Sequence, residues 1–215
     1  MIGLQIDPTK QTKHDNYKLL IGSVLPRPIA FVSSMGKDGV VNAAPFSFFT
    51  VVSTEPPMIS VTAMRKPGNV QKDTARNIEE TGEFVVHVVD SDNVAQVNET
   101  ATDFPPEISE VDTVGFTLLP SARVKVPRIA ESKIQMECIL HKMIPLGGTS
   151  VSPNADLIIG EVVMFHVQDE LLFEGRIDTE TLDPIGRLAG TTYGKLGEMF
   201  SMPRLSYEEW RQKKK

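Results

Sequence analysis

The segment 65–74 carries the side chains whose types and spacing best suit the binding of an anion. Arg65 and Lys72 flank the expected start of a helix, and Thr74 supplies a hydroxyl group beside them. A helix N-terminus offers free backbone N–H groups and a partial positive charge, so this combination suits a phosphate monoester. A capped helix with solvated basic side chains has the same pattern, and the residues alone leave both interpretations open.

A second run of interest covers residues 42–50 and reads NAAPFSFFT, without a charge but with small, hydroxyl and aromatic residues. Small residues let a flat ligand approach the backbone, whose N–H and C=O groups can then bind its polar edge. An ordinary buried strand has the same composition, and the sequence alone favours that simpler interpretation.

Other chemical signatures do not occur in the sequence. There is no GxGxxG after a strand and no GxxxxGK[ST], which argues against a Rossmann dinucleotide site and a P-loop. His14, His87, His141 and His166 lack the close spacing of metal ligands, and we expect no metal site. His87 alternates with valines and is interpreted as structural, while Cys138 lies among apolar residues and is expected to be inert.

The composition limits the cellular setting. The 215 residues include 22 Lys and Arg and 28 Asp and Glu, which gives a net charge of −6. This negative charge argues against nucleic acid as a partner. The single cysteine fits a reducing compartment. No apolar run approaches the length of about 20 residues that spans a bilayer, and the N-terminus does not resemble a secretory signal. We expect one cytoplasmic domain over residues 1–215.

The elements that must position these residues are mostly strands. Apolar and β-branched runs predict strands at residues 29–35, 40–46, 48–52, 58–63, 84–89, 132–144 and 157–167. The first two are predicted to form a hairpin around the turn at residues 36–39. Helices are predicted at 69–81, with Gly82 in a left-handed C-terminal cap, and at 92–101. Residues after 180 are expected to be loop with one short helical turn and an extended tail, and the whole predicts a mostly antiparallel, barrel-like sheet.

The order of several motifs resembles the flavin reductase-like, FMN-binding split-barrel family. In order they are RPIAFVSS at 27–34, NAAPFSFF at 42–49, PP at 56–57, KDT at 72–74 with NI at 77–78, and GEFVV at 82–86. RLAG at 187–190 and Tyr193 are also similar to that family, and the match runs from about residue 17 to 203.

The resemblance implies a mainly β fold, an antiparallel six-stranded split β-barrel with a few helices, which dimerises with FMN near the interface. The cofactor-binding residues that it implies are Ser33, Ser34, Ala44, Pro45, Phe46, Ser47, Phe48, Thr50, Arg65, Lys72, Asp73, Thr74, Arg187, Gly190 and Tyr193. The two serines would lie along the ribityl chain and residues 44–48 against the isoalloxazine ring. The four residues from Arg65 to Thr74 would bind the phosphate, and the extension 180–215 would cover the flavin or the dimer interface. Thr50 stands where many relatives have Asn, which leaves one flavin-edge hydrogen bond in question.

The function that the resemblance implies is an NAD(P)H-dependent flavin reductase, which transfers hydride from NADH or NADPH to flavin. The flavin carries this chemistry, so no catalytic side chain is required of the protein. A monooxygenase that accepts electrons is a candidate partner. The alternative is an FMN-carrying electron-transfer protein of the flavoredoxin type, or a flavin-storage protein, without a nicotinamide site.

Overall fold

The computed structural model describes residues 3–105 and 107–214, and most of its regular structure is strand. The strands are β1 (Arg27–Pro28), β2 (Ala30–Met35), β3 (Val41–Phe46), β4 (Phe49–Thr54), β5 (Pro57–Met64), β6 (Glu83–Val88), β7 (Leu118–Leu119), β8 (Arg128–Ile129), β9 (Ile134–Leu146), β10 (Ala155–Val167), β11 (Leu172–Phe173), β12 (Arg176–Ile177), β13 (Ile185–Arg187) and β14 (Tyr193–Lys195). The α-helices are α1 (Lys13–Ser23), α2 (Asp73–Thr81), α3 (Val94–Glu99), α4 (Glu110–Val114), α5 (Thr179–Leu182) and α6 (Tyr207–Lys213). Short 3₁₀ turns are Pro8–Lys10, Pro67–Asn69 and Asp169–Leu171.

Seven antiparallel strands form the main sheet, in the order β3-β2-β6-β9-β10-β5-β4. β3 and β4 are the two ends of this order, yet only Ser47 and Phe48 separate them in the chain. The two ends of the sheet therefore lie close together, and the sheet curves into a barrel. The mainly β, antiparallel split-barrel fold is confirmed, and so is the predicted hairpin of β2 and β3.

The strand count is a correction, because the resemblance implied six strands and the sheet has seven. Each of the seven runs that the residue pattern predicted corresponds to one of these strands. β4 is one end of the sheet and is paired with β5 alone in the described part of the chain.

The barrel interior is filled by aliphatic and aromatic side chains from facing strands. Phe84, Val86 and Ile158 are almost fully buried there, and Ile78 of α2 packs against them. Burial of one such side chain contributes about 1.5–3 kcal/mol, so this cluster is a large favourable part of folding. Gly160 of β10 leaves room for the Phe84 ring, because a Cβ atom there would lie 2.8 Å from Phe84 Cε1.

The predicted helix 69–81 begins later than expected, which is a second correction. Gly68 and Asn69 have φ angles of 77° and 58°, in the left-handed region, so the chain turns there and α2 starts only at Asp73. Val70 consequently lies outside the helix and is 57% exposed. The C-terminal end is as predicted, because Gly82 has φ 75° and its N–H donates to Ile78 O at 2.8 Å.

The sequence pattern missed three helices, α1, α4 and α6. α1 buries only Ile21, so apolar spacing gives no sign of it. Its signal is the cap, because the Thr12 side chain accepts a hydrogen bond from Asp15 N at 3.1 Å. At α6, Ser206 and Glu209 form a capping box. No helix within residues 3–105 and 107–214 is long and apolar enough to cross a membrane.

Candidate functional site

A cleft lies where β3 meets the start of α2 and the segment 100–104 that follows α3. Its empty space is about 460 Å³, the open mouth included. Asn42, Ala44 and Pro45 of β3 line one side, and Lys72 and residues 73–74 line another. The two sequence segments that suggested chemistry are therefore brought to one place.

The N-terminus of α2 faces this cleft without a capping side chain. Lys72 is the N-cap residue, and among residues 3–105 and 107–214 no side chain caps the first N–H groups of α2. These groups and the partial positive charge of the helix end remain available to an anion. The Lys72 ammonium lies 5.9 Å from the centre of the Phe46 ring and makes no ion pair with the described residues.

Lys66 forms a second positive group in the cleft, but carboxylates already surround it. Its Nζ atom lies 3.2 Å from Asp73 Oδ2 and 3.0 Å from Asp103 Oδ1. The hydrogen bond to Asp103 raises the pKa of Lys66, so the ammonium stays charged. Asp73 also pairs with Arg76 at 2.6 Å. In this structure Asp73 therefore orients Lys66 and Arg76.

Arg65 lies outside the cleft lining, although the sequence placed it with the phosphate-binding residues. Its guanidinium contacts Asp156 through two hydrogen bonds of 2.6 and 3.0 Å, and Asp156 is almost completely buried. A third bond, of 3.3 Å, runs to Asn69 O and holds the turn before α2. To reach a ligand, Arg65 would have to break a bidentate, charge-assisted contact.

The wall of the cleft contains a polar network that sequence reasoning missed. Asn42 Nδ2 donates to Glu110 Oε1 at 2.6 Å, and Ala43 N donates to Glu110 Oε2 at 3.1 Å. Thr74 Oγ1 donates to Asn42 Oδ1 at 2.7 Å. Burial raises the pKa of Glu110. The only sequence signal near Glu110 is Ser109, which caps α4, and a cap gives no sign of a ligand site.

The two predicted serines are completely buried, on opposite faces of β2. Ser33 Oγ donates to Pro127 O at 2.9 Å, on the side of the barrel away from Asn42. Ser34 Oγ lies 3.4 Å from Asn42 Oδ1 and accepts a bond from Asn77 Nδ2 at 3.3 Å. Ser34 therefore supports a lining residue, and Ser33 fastens a neighbouring loop.

The rest of the run 44–50 divides between the cleft, the core and another surface. Phe46 points into the core cluster and is 7% exposed. Ser47 is half-buried in the short link to β4, where Thr50 is exposed. Phe48 lines a separate apolar groove against α1. Ala44 and Pro45 are the residues of this group that line the cleft.

The predicted C-terminal residues form a group of their own, outside the cleft lining. The Arg187 guanidinium carbon lies 4.4 Å from the centre of the Tyr193 ring, and Arg187 donates to Gly190 O at 2.7 Å. Gly190 has φ 60°, which favours glycine in this turn. Tyr193 Oη donates to Asn98 Oδ1 at 2.7 Å, so the group is tied to α3, just before the cleft segment 100–104.

The described residues contain neither a group of metal ligands nor an accessible thiol. Within the part of the chain that the structure describes, no three His, Cys, Asp or Glu side chains are placed to hold a metal ion. Cys138 is fully buried in the barrel core, where burial raises the pKa of its thiol, so the thiol stays protonated.

Comparison with known proteins identifies the family. Residues 21–181 match the model of the flavin reductase-like domain. A protein of Halalkalibacterium halodurans is 53% identical over 201 residues, which cover 94% of this chain and 96% of that one. The crystal structure of nitrilotriacetate monooxygenase component B from Bacillus cereus is 52% identical, with TM-score 0.92 over 94% of this chain and all of that one. The 2-nitrobenzoate 2-nitroreductase of Pseudomonas fluorescens is 33% identical, with TM-score 0.84 over 95% and 98% of the two chains. The chain therefore belongs to the flavin reductase-like domain family.

Proposed function

We propose that this protein binds FMN in the cleft and is an NAD(P)H-dependent flavin oxidoreductase. The observation that carries the proposal is the junction of β3 with the uncapped start of α2. There, small residues and backbone lie beside Lys72 and the first N–H groups of a helix. A ligand that fits both halves combines a flat polar ring with a phosphate, and FMN has both.

The donors of the site fit this cofactor. A phosphate dianion is matched by Lys72, by the N–H groups at the start of α2 and by Lys66, whose pKa is raised. Ala44 and Pro45 have short side chains, so a planar ring can approach the backbone of β3. Residues 46–50, Ser33, Ser34 and Arg65 then act mainly by holding these groups in place, and the group around Tyr193 would cover the ring.

Bound FMN supplies the redox chemistry, because its isoalloxazine ring accepts hydride from NADH or NADPH. The role of the protein is to bind the cofactor and to orient it. The cations and helix dipole at α2 would hold the phosphate end, and the backbone of β3 would hold the ring. The hydrogen bonds of Asn42 to Thr74 and Glu110 hold β3 against the start of α2. The open side of the cleft would then be where a nicotinamide binds.

Two relatives support a redox function with an external electron acceptor. By their names, one is a monooxygenase component and the other a nitroreductase. We infer from them that a monooxygenase is a candidate acceptor for this protein too. The homodimer and the cytoplasmic location expected from the sequence belong to the same proposal.

Anaerobic mixing tests the function. The protein loaded with FMN is combined with NADH, and separately with NADPH, while the flavin absorbance is followed. Rapid bleaching by either nucleotide is expected. If FMN binds but only dithionite bleaches it, the protein is an electron carrier or flavin store. If FMN does not bind in a titration, the proposed cleft function is wrong.

A further inference from the structure

The hydroxyl of Thr74 is held away from the cleft by a chain of hydrogen bonds that ends at Glu110. Thr74 Oγ1 donates to Asn42 Oδ1 at 2.7 Å, and Asn42 Nδ2 donates to Glu110 Oε1 at 2.6 Å. All three side chains line the cleft, and Thr74 and Glu110 are 2% and 7% exposed. The protonation state of Glu110, at the end of this series of hydrogen bonds, sets which atom donates in each bond.

An ionised carboxylate can only accept hydrogen bonds. Asn42 must therefore turn its NH₂ group towards ionised Glu110, which leaves its oxygen facing Thr74. A hydroxyl has one proton, and Thr74 uses it on that oxygen. Towards the cleft Thr74 then presents only lone pairs, which repel the oxygens of a phosphate.

Protonation of Glu110 reverses every bond in the chain. Glu110 Oε1 becomes a donor, so the Asn42 amide turns over and accepts from it through Oδ1. The Asn42 NH₂ group then donates to Thr74, whose own proton is free to point into the cleft, and the long bond of 3.4 Å from Ser34 Oγ to Asn42 Oδ1 is given up. The bond from Ala43 N to Glu110 Oε2, 3.1 Å long, is kept in both states. One proton enters from solvent and ends on Glu110, and no other group changes its charge.

We propose that Glu110 and Asn42 are positioning residues of a proton-linked relay, which lets Thr74 donate to a phosphate oxygen only when Glu110 is protonated. The inference rests on the proposed FMN site and adds to it a residue that neither the sequence motifs nor the comparisons assign. It also predicts that binding of a phosphate monoester takes up a proton, whereas binding of the same ligand without its phosphate does not.

The surroundings of Glu110 favour the protonated form of its carboxyl group. Burial raises the pKa of Glu110, and the nearby Asp73 of α2 raises it further, although the bonds from Ala43 and Asn42 oppose this. β3 carries no charged residue. Across the cleft lie Lys72 and Lys66, and Lys66 is already paired with Asp73 and with Asp103 from the segment after α3. A phosphate in the cleft adds negative charge, which favours protonation of Glu110 once more.

The variant Glu110→Gln tests the relay, because the amide can accept from Ala43 and donate to Asn42 as the protonated acid does. FMN and riboflavin affinities are measured for wild type, Glu110→Gln, Thr74→Val and the double variant. At about pH 7.5 a phosphate monoester, with a second pKa near 6, is already a dianion. We expect Glu110→Gln to bind FMN about tenfold more tightly than wild type, the effect of one charge-assisted hydrogen bond. Riboflavin affinity should stay within about twofold, and the gain should vanish in the Thr74→Val background.

A gain that persists with Thr74→Val would show only the removal of a negative charge and would overturn the relay, as would no gain at all. Proton uptake gives a measurement on the wild type, by calorimetry of FMN binding in buffers that differ in ionisation enthalpy. Uptake with FMN but not with riboflavin is expected, and no uptake with FMN overturns the relay. Failure of wild type to bind FMN overturns the proposed function instead, so the two failures are distinguishable.

Discussion

His87 lies inside β6 with both ring nitrogens bonded. Nδ1 lies 3.0 Å from Phe31 O, which can only accept, and Nε2 accepts from Ile129 N at 2.9 Å. The ring is therefore the neutral tautomer with its proton on Nδ1. Burial lowers the pKa of His87 to about 4. The alternation of His87 with valines pointed to this structural role, but its two partners come from distant segments and no local pattern reveals them.

The buried neutral histidine predicts a loss of stability in mild acid. The unfolded chain binds a proton at His87 below a pKa of about 6.5, and the folded chain binds one only near 4, so the free energy of unfolding falls between these values. At pH 5 the loss is about 2 kcal/mol. In urea titrations the difference in free energy of unfolding between wild type and His87→Gln should shrink by that amount from pH 7.5 to pH 5. Parallel pH profiles for the two proteins would contradict it.

Lys72 is the side chain on which phosphate binding most directly depends. It has no carboxylate partner among the described residues, in contrast to Lys66 and Arg65. Lys72→Ala should weaken FMN about tenfold, the effect of one charge-assisted contact, and should change riboflavin affinity by less than about twofold. Fluorescence titration with both flavins measures this. Lys142→Ala, an exposed lysine outside the cleft, is the matched control, and equal losses for both flavins would argue against the phosphate assignment.

At the level of elements, the face of β9 that carries Gln135 and Glu137 is not in solvent, although the alternation of polar and apolar residues in the predicted strand 132–144 is typical of a half-buried strand. Both side chains are buried. The chain around residues 120–127 covers this face, and the Glu137 carboxylate accepts from the backbone N–H groups of Ala122, Arg123 and Val124 at 2.7, 2.6 and 3.1 Å. Periodicity reports which residues share a face of a strand, but not whether a distant loop covers it.

Glu137 holds this loop on the sheet. Burial alone would raise the pKa of Glu137, but the three N–H groups and His166, whose Nε2 lies 2.6 Å away, lower it overall. Glu137→Gln replaces an acceptor by a donor and should cost about 3 kcal/mol of folding free energy, measured by urea titration. Backbone N–H groups of residues 122–124 should also exchange faster. Glu99→Gln, exposed on α3, should change neither, and unchanged exchange at residues 122–124 in Glu137→Gln would refute the role.

At the level of the whole molecule, the seven strands were predictable because alternation, β-branched runs and turn residues are local signals. The curvature that brings β3 beside α2 depends on pairings such as β5 with β10, between residues far apart in sequence. The same limit applies to the site. Lys72 and Thr74 were found from their place at a helix start, while Glu110 reaches Asn42 across 68 residues and has no local signal.

Exposed apolar side chains are concentrated on α1, on β4 and in the segment after β14, which supports the proposed homodimer. Among these side chains are Leu20 of α1 (62%), Val51 of β4 (67%) and Phe200 of the segment after β14 (80%). β4 is also an end strand of the main sheet, and a second copy that packs on it would cover its exposed side chains. Light scattering after size exclusion should give about 47 kDa, twice the chain mass of 23.7 kDa.

Val51→Lys should shift the mass towards that of one chain, because a charge in a buried interface is costly. Val151→Lys, at a 92% exposed loop position, should leave the mass unchanged. A wild-type mass of one chain at micromolar concentration would rule out the dimer, and with it any contribution of a partner copy to the cleft.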